Sequence, residues 1–177
     1  MINQPPTLVG KQAVLEGLPG HPAIKALETA NLAAADNQAW DPQAFTDARF
    51  DFGELTLTIA PTHIRAACFT VQAAGYNFFE DMTAVDWFPA SPRFQLSYHI
   101  LSHRFMERIR LRAMLDDSDP TVESIVPVWV GANYFEREVF DLFGIRFAGH
   151  PDLRRIMMPD DWKGYPLRKD YPVEGYR

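Results

Sequence analysis

The chain has 177 residues, with 17 Lys and Arg against 23 Asp and Glu and a formal charge of −6. That length fits one domain with some excess, and a 47% hydrophobic share, with 13% aromatic, excludes wholesale disorder. The acidity argues against a general nucleic-acid binder, and the single Cys68 excludes an internal disulfide framework or a thiolate cluster.

The N-terminus, MINQPPTLVGKQAVLEG, has neither the hydrophobic core of a secretory signal nor the Arg-rich pattern of a transit peptide. Pro22 opens a helix predicted to reach about Ala35, with Ile24, Leu27 and Leu32 on one face. Asp36 to Arg49 reads as a loop that turns at Asp41-Pro42. Leu55, Leu57 and Ile59 alternate with Thr56 and Thr58, a half-buried strand. Pro61-Thr62 then starts a helix with Ile64, Ala67, Cys68 and Val71 on one face, ended by Gly75. The longest stretch without charge, Ala66 to Phe79, is 14 residues, short of the roughly 18–20 apolar residues of a spanning helix. A soluble, intracellular chain is the expectation.

Phe78 to Trp87 reads as a second strand. Phe94, Leu96, Tyr98 and Ile100 alternate with Gln95, Ser97 and His99. After a short turn near His103, Ile109, Leu111, Ala113 and Leu115 alternate with Arg108, Arg110 and Arg112. The two runs predict a hairpin with pairs such as Ser97 facing Arg110, since a one-residue slip would invert one strand's faces. The fold class is therefore α+β, a largely antiparallel or mixed sheet with helices packed on one face.

Further on, Asn133 is placed as a helix cap with Glu136 at the N3 position, a capping-box-like arrangement. Phe135, Val139, Leu142 and Phe143 form the apolar stripe and Gly144 the stop. Pro151, Pro159, Pro166 and Pro172 then interrupt any helix or central strand. Yet the same segment holds Leu153, Ile156, Met157, Met158, Trp162, Tyr165, Leu167, Tyr171 and Tyr176. It reads as an extended, Pro-punctuated C-terminal arm that must lie against the domain itself or against a partner. The expected organisation is an N-terminal helical and loop segment (1–49), an α+β core (50–132), and a helix plus partner-binding arm (133–177).

The stripe of Arg108, Arg110 and Arg112 offers a docking surface for phosphates or carboxylates, although a solvated outer sheet face is the stronger reading. Glu136, Glu138, Asp141 and His150 suggest a metal or acid–base cluster. On a helix, however, Glu138 and Asp141 share a face while Glu136 points elsewhere, and no His lies in that helix. Arg137 and Asp141 have the spacing of an i, i+4 ion pair. His150, in a turn between Gly149 and Pro151, reads as a hydrogen-bonded structural His rather than a ligand or proton relay. Cys68 reads as a small core residue. Nucleophile elbow, P-loop and dinucleotide fingerprint are all missing from the sequence. Asp152, Asp160, Asp161, Asp170 and Glu174 nearly neutralise the arm's basic residues, which weakens an RNA-binding reading. Its Arg, Trp, Tyr and Met are types favoured at protein–protein interfaces.

The run Asn133 to Ile145, NYFEREVFDLFGI, followed by Gly149 to Ile156, GHPDLRRI, resembles the signature of one family. The family is the C subunit of proton-pumping NADH:quinone oxidoreductase, respiratory complex I. The resemblance continues through Met158 to Trp162 and Gly164 to Pro172, and reaches back to Asp81 to Asp86 and Phe94 to His99. It covers residues 50–172, with Tyr134 where a Trp is expected. It implies a peripheral-arm subunit without a redox centre, catalytic residue or metal of its own. Its α/β domain would pack beside the D subunit, which helps form the quinone chamber, and its C-terminal segment would wrap along that neighbour. FMN and iron–sulfur clusters in partner subunits would carry electrons from NADH to quinone. The place implied is the cytoplasmic face of the bacterial inner membrane, reached only through the complex, with no nucleic acid involved. Carried over, Glu136, Arg137, Glu138 and Asp141 fit the helix that sets the start of the arm. His150, Arg154, Arg155, Trp162, Arg168, Lys169 and Tyr171 are the expected contacts. The equivalent subunit of a membrane-bound hydrogenase or of a related quinone-reducing complex is a related reading. An independent hydrolase would need an enclosed pocket joining Glu136, Glu138 and His150.

Overall fold

The computed structural model describes residues 7–29 and 40–175. A six-stranded sheet forms from β1 (Leu8–Val9), β2 (Phe45–Asp51), β3 (Glu54–Ile59), β4 (Phe78–Asp86), β5 (Phe94–Ser102) and β6 (Glu107–Leu115). Its order is β1-β2-β3-β6-β5-β4, and every pairing is antiparallel except β3 with β6. The mixed α+β architecture is the expected one. The parallel pair requires a crossover, which α3 (Ile64–Ala74) and the strands after it supply.

Alternation along these strands makes the sheet amphipathic. Ala48, Leu57, Leu111, Tyr98 and Met82 stand side by side across five strands, all buried. Arg49, Thr56, Arg110, His99 and Asp81 form the corresponding polar row. Against the apolar face pack α3 together with α1 (Lys11–Gly17), α2 (Pro22–Thr29) and α4 (Ala132–Phe143). A small parallel pair, β7 (Thr121–Glu123) and β8 (Arg146–Ala148), flanks α4. Gly75 and Gly144 end their helices in left-handed backbone, φ 113 and φ 72, as the sequence predicts.

Three expectations are corrected. The loop expected up to Arg49 is strand from Phe45 onward, so the division at residue 49 falls inside β2. A bulge between Phe45 and Asp47 buries both Phe45 and Ala48, three residues apart, and this hides the two-residue period. The hairpin keeps the expected faces, but Ser97 pairs with Arg112 and His99 with Arg110. The strands run on to Ser102 and Glu107, leaving a four-residue turn pinned by Ser102, whose hydroxyl donates to Gly75 O at 2.7 Å and accepts from Phe105 N. Finally, Asn133 does not cap α4. Gly131 precedes that helix without a side-chain cap, and the turn before it takes the first N–H groups, Ala132 N to Trp129 O and Asn133 N to Val130 O. The helix from Pro22 is described to Thr29, and its expected continuation through Leu32 to Ala35 lies outside the described residues, as does Tyr176.

Candidate docking surface

α4 is buried on two sides by different means. One side, with Ala132, Val139 and Phe143, meets the sheet. Glu136 belongs to this side and is fully buried, its carboxylate accepting from Ser124 Oγ at 2.7 Å and Ile125 N at 2.6 Å. Burial pushes its pKa up to about 7 against those two hydrogen bonds. His150 lies 4.0 Å away with its side chain equally enclosed. Its Nδ1 accepts from Asp152 N and its Nε2 donates to Asn133 O, which is the neutral ring, and burial holds its pKa below the ordinary value. Glu138 faces solvent, so the structure unites Glu136 with His150 and leaves Glu138 apart.

The raised Glu136 pKa has a definite sign. Between 4.5, its ordinary value, and about 7 the folded chain holds a proton that the unfolded chain has lost. Stability therefore falls as pH rises through that window, by about 3 kcal/mol. Burial of His150, His21 and His99 lowers their pKa values and acts in the opposite direction. The clean measurement is thus the difference between Glu136→Gln and the parent. In urea unfolding from pH 5 to 7.5, the variant is expected to gain on the parent steadily as pH rises; parallel curves would count against it.

The other side of α4 carries Asp141, which is 0% exposed because the chain after His150 folds over it. One carboxylate oxygen, Oδ2, accepts three successive backbone N–H groups: Ile156 at 3.0 Å, Met157 at 2.7 Å and Met158 at 2.8 Å. The other oxygen accepts from Arg155 Nη1 at 2.5 Å. Burial acts to raise the Asp141 pKa, but these donors outweigh it and hold the carboxyl below its ordinary range. Three consecutive amides around one anion make a nest, here built from the arm for a side chain of the helix.

Arg155 also donates to the carbonyls of Asp141, Trp162 and Gly164, and its guanidinium lies 5.5 Å from the Tyr165 ring. Arg137 donates to the carbonyls of Arg154 and Arg155, so the spacing with Asp141 is not used as an ion pair. Further along, Leu167 N reaches Leu142 O and Arg168 Nε reaches Phe143 O at 2.6 Å, satisfying the last carbonyls of α4. Gly144 is required there, since a Cβ would meet the Tyr165 ring at 2.5 Å.

A third anchor lies beyond α4. Arg93, 3% exposed, makes a two-pronged pair with Asp86 at 2.9 and 2.8 Å and also reaches Asp170 at 2.7 Å and Asp117 at 3.0 Å. Lys169 N donates to Asp86 at 2.8 Å. Burial would raise the Asp86 pKa, yet Arg93 and the amides of Lys169 and Phe88 bring it to about 2. Sequence reasoning missed Arg93. Its only local sign is a position just after Ser91-Pro92 at a strand start, and Asp170 lies 77 residues away.

The arm is therefore held by backbone and charge, which leaves its apolar side chains outward. Ile156, Met157, Trp162, Leu167 and Val173 are exposed, as is Tyr134 on α4. Of the expected contact residues, Trp162 and Lys169 face outward, as does Arg154, which pairs with Asp152 at 2.8 Å. Arg155 and Arg168 serve the chain's own fold, and the Tyr171 hydroxyl donates to Lys163 O. Among the described residues, no three His, Cys, Asp or Glu side chains could hold a metal ion, and no helix is long and apolar enough to cross a membrane.

The family model described as respiratory-chain NADH dehydrogenase, 30 Kd subunit, matches residues 57–177. The C subunit of the NADH-quinone oxidoreductase of Geotalea uraniireducens is 46% identical over 124 residues, 70% of this chain and 76% of that one. Its counterpart in Geobacter sulfurreducens is 45% identical over 131 residues, 73% and 81% of the two chains. A solved trypsin-resistant fragment (1–134) of Nqo5 superposes with a TM-score of 0.55 at 32% identity, covering 58% of this chain and 84% of that one. An archaeal membrane-bound sulfane sulfur reductase structure gives 0.61 at 23% identity over 68% and 72%, a likeness of fold alone. The chain thus belongs to the family of the 30 Kd subunit of respiratory-chain NADH dehydrogenase, and is a subunit of a NADH-quinone oxidoreductase complex.

Proposed function

We propose that this subunit works without a redox centre, as a structural and assembly part of the peripheral arm of a proton-pumping complex. Its C-terminal arm docks on the D subunit, which helps form the quinone chamber, at the cytoplasmic face of the bacterial inner membrane. FMN and iron–sulfur clusters in partner subunits carry the electrons from NADH to quinone. One observation carries this reading: the arm is fixed through its backbone by Asp141 and Asp86 and through Asp170 by Arg93, while Met157, Trp162 and Leu167 are left to solvent. A pre-ordered apolar strip loses little entropy on binding, so its burial goes into affinity.

Deletion of Pro151 onward tests it. Asp141 would then meet water instead of the arm, so the sheet and α1 to α4 are expected to stay folded by circular dichroism. Recovery of the chain with the flavin and iron–sulfur subunits from detergent-solubilised membranes is expected to drop at least tenfold. Normal recovery would overturn the docking role, and co-purification of hydrogenase subunits with the intact chain would move it to the sister complex.

A further inference from the structure

The two edges of the sheet are finished differently. On one side the outer row of β2 is closed. Arg49 and Phe50 pair with the two residues of β1, Gly10 N donates to Ala48 O at 2.9 Å, and Lys11 Nζ donates to Phe45 O at 2.7 Å. An outer strand of two residues, followed at once by α1, leaves little backbone for another chain to pair with.

The strand at the other side, β4, is nine residues long. Its paired neighbour is β5, and in such an antiparallel pair every second residue turns its N–H and C=O the other way. Among the described residues, no hydrogen bond reaches that outer row. Open edges are ordinarily defended by a charge, a proline or a bulge. The bulge of β4 lies between Phe79 and Asp81. Beyond it, Met82-Thr83-Ala84-Val85 pairs in regular register with Tyr98 to Gln95 and holds neither charge nor proline. Thr83, in the middle of this stretch, is exposed.

Aromatic side chains left to solvent bracket the edge. Phe78 at its start is 48% exposed, and Trp87 and Phe88 just past its end are 51% and 50% exposed. The backbone that presents the last two is already fixed, Trp87 N donating to Arg93 O at 2.8 Å and Phe88 N to Asp86 Oδ1 at 2.9 Å. An unpaired row of N–H and C=O groups matches one kind of occupant, another extended backbone. Trp and Phe beside it are residue types enriched at subunit contacts.

We propose that β4 takes up a seventh strand, an extended segment of a neighbouring subunit of the complex, paired along Asp81 to Asp86 and packed against Trp87 and Phe88. The subunit then meets its neighbours in two ways, by main-chain pairing at this edge and by the apolar strip of the arm.

Hydrogen exchange read residue by residue tests the pairing. In the isolated chain, the amides of Met82 to Val85 are expected to alternate, those facing β5 exchanging at least a hundredfold more slowly than those facing outward. In the purified complex the outward set is expected to become as slow as the inward set; alternation that persists in the complex would overturn the proposal. Cross-linking identifies the occupant. The single native cysteine, Cys68, is buried, so a cysteine placed on β4 is a selective probe. Thr83→Cys and Val85→Cys, each carrying benzophenone maleimide, are expected to capture one segment of one neighbouring subunit, with the capture position moving by about two residues between them. Capture of a second copy of this chain, of this chain itself, or of scattered segments would each overturn it. Both readouts are taken at β4 in the intact complex, so they stand whether or not deletion of the arm abolishes assembly.

Discussion

Arg93→Met is expected to lower the stability of the chain by about 3–5 kcal/mol, the usual consequence of removing one partner from a buried ion pair. The cost arises at Asp86, whose side chain is 0% exposed and would keep only the amides of Phe88 and Lys169. Asp117 and Asp170 contribute little to the loss, because their side chains are 52% and 46% exposed and water replaces the guanidinium. Arg93 also lies 5.0 and 4.9 Å from the rings of Phe88 and Phe94, contacts that a Met side chain keeps in part. The pH profile identifies the mechanism. In the parent, Asp86 contributes stability that is fully present above its ordinary 3.8 and is lost as pH falls toward about 2. Without Arg93 burial dominates, so that loss moves to higher pH. Adding Asp86→Asn to Arg93→Met should recover much of the deficit, since the uncompensated charge is then gone. Urea unfolding of the parent and the two variants at pH 3 to 7 measures both effects, and a deficit under 1 kcal/mol for Arg93→Met would sink the argument.

Periodicity made the middle of the chain legible. Leu55, Leu57 and Ile59, the run from Phe94, and the run from Ile109 each obey the two-residue rule without interruption, so their faces could be read directly. The signal failed where a single backbone event breaks the period, as at the bulge that starts β2. Register was less legible than face. Ser97 opposite Arg110 and Ser97 opposite Arg112 put the same side chains inside, and only the length of the turn at 103–106 separates the two. Glu136 illustrates a different failure. Three residues after Asn133 a Glu looks like a capping partner, but its position also lies on the stripe of Ala132 and Val139, and burial took it. The arm's anchors were hardest, because Asp141, Arg93 and Asp86 are ordinary charged residues until the fold brings the arm over them. Arg155 and Arg168 show how composition misleads in such a segment: interface-type residues can be used to hold the interface up.

Asp141→Ala is expected to free the segment around Ile156 to Met158 and to cost about 4 kcal/mol, a few charge-assisted hydrogen bonds at net value. Three amides and Arg155 lose their shared acceptor at once, so the nest has no reason to stay closed. The amides of Met157 and Met158 should then exchange with solvent at least a hundredfold faster, and Arg154 and Arg155 should become sites of rapid tryptic cleavage. The sheet should be unaffected, because the Glu136 side of α4 keeps its own contacts. Slow exchange and intact Arg155 in the variant would show that the arm is held by other means. Assembly should suffer too, and because Asp141 is 0% exposed within its own chain, the effect would come from presentation of the strip. Met157→Asp separates the two causes. Met157 is 58% exposed, so its side chain can be charged while its amide still donates to Asp141. That variant is expected to resist trypsin like the parent and still fail to enter the complex. If it assembled normally, the outward strip would not be the contact, and the clamp would serve the stability of α4 alone.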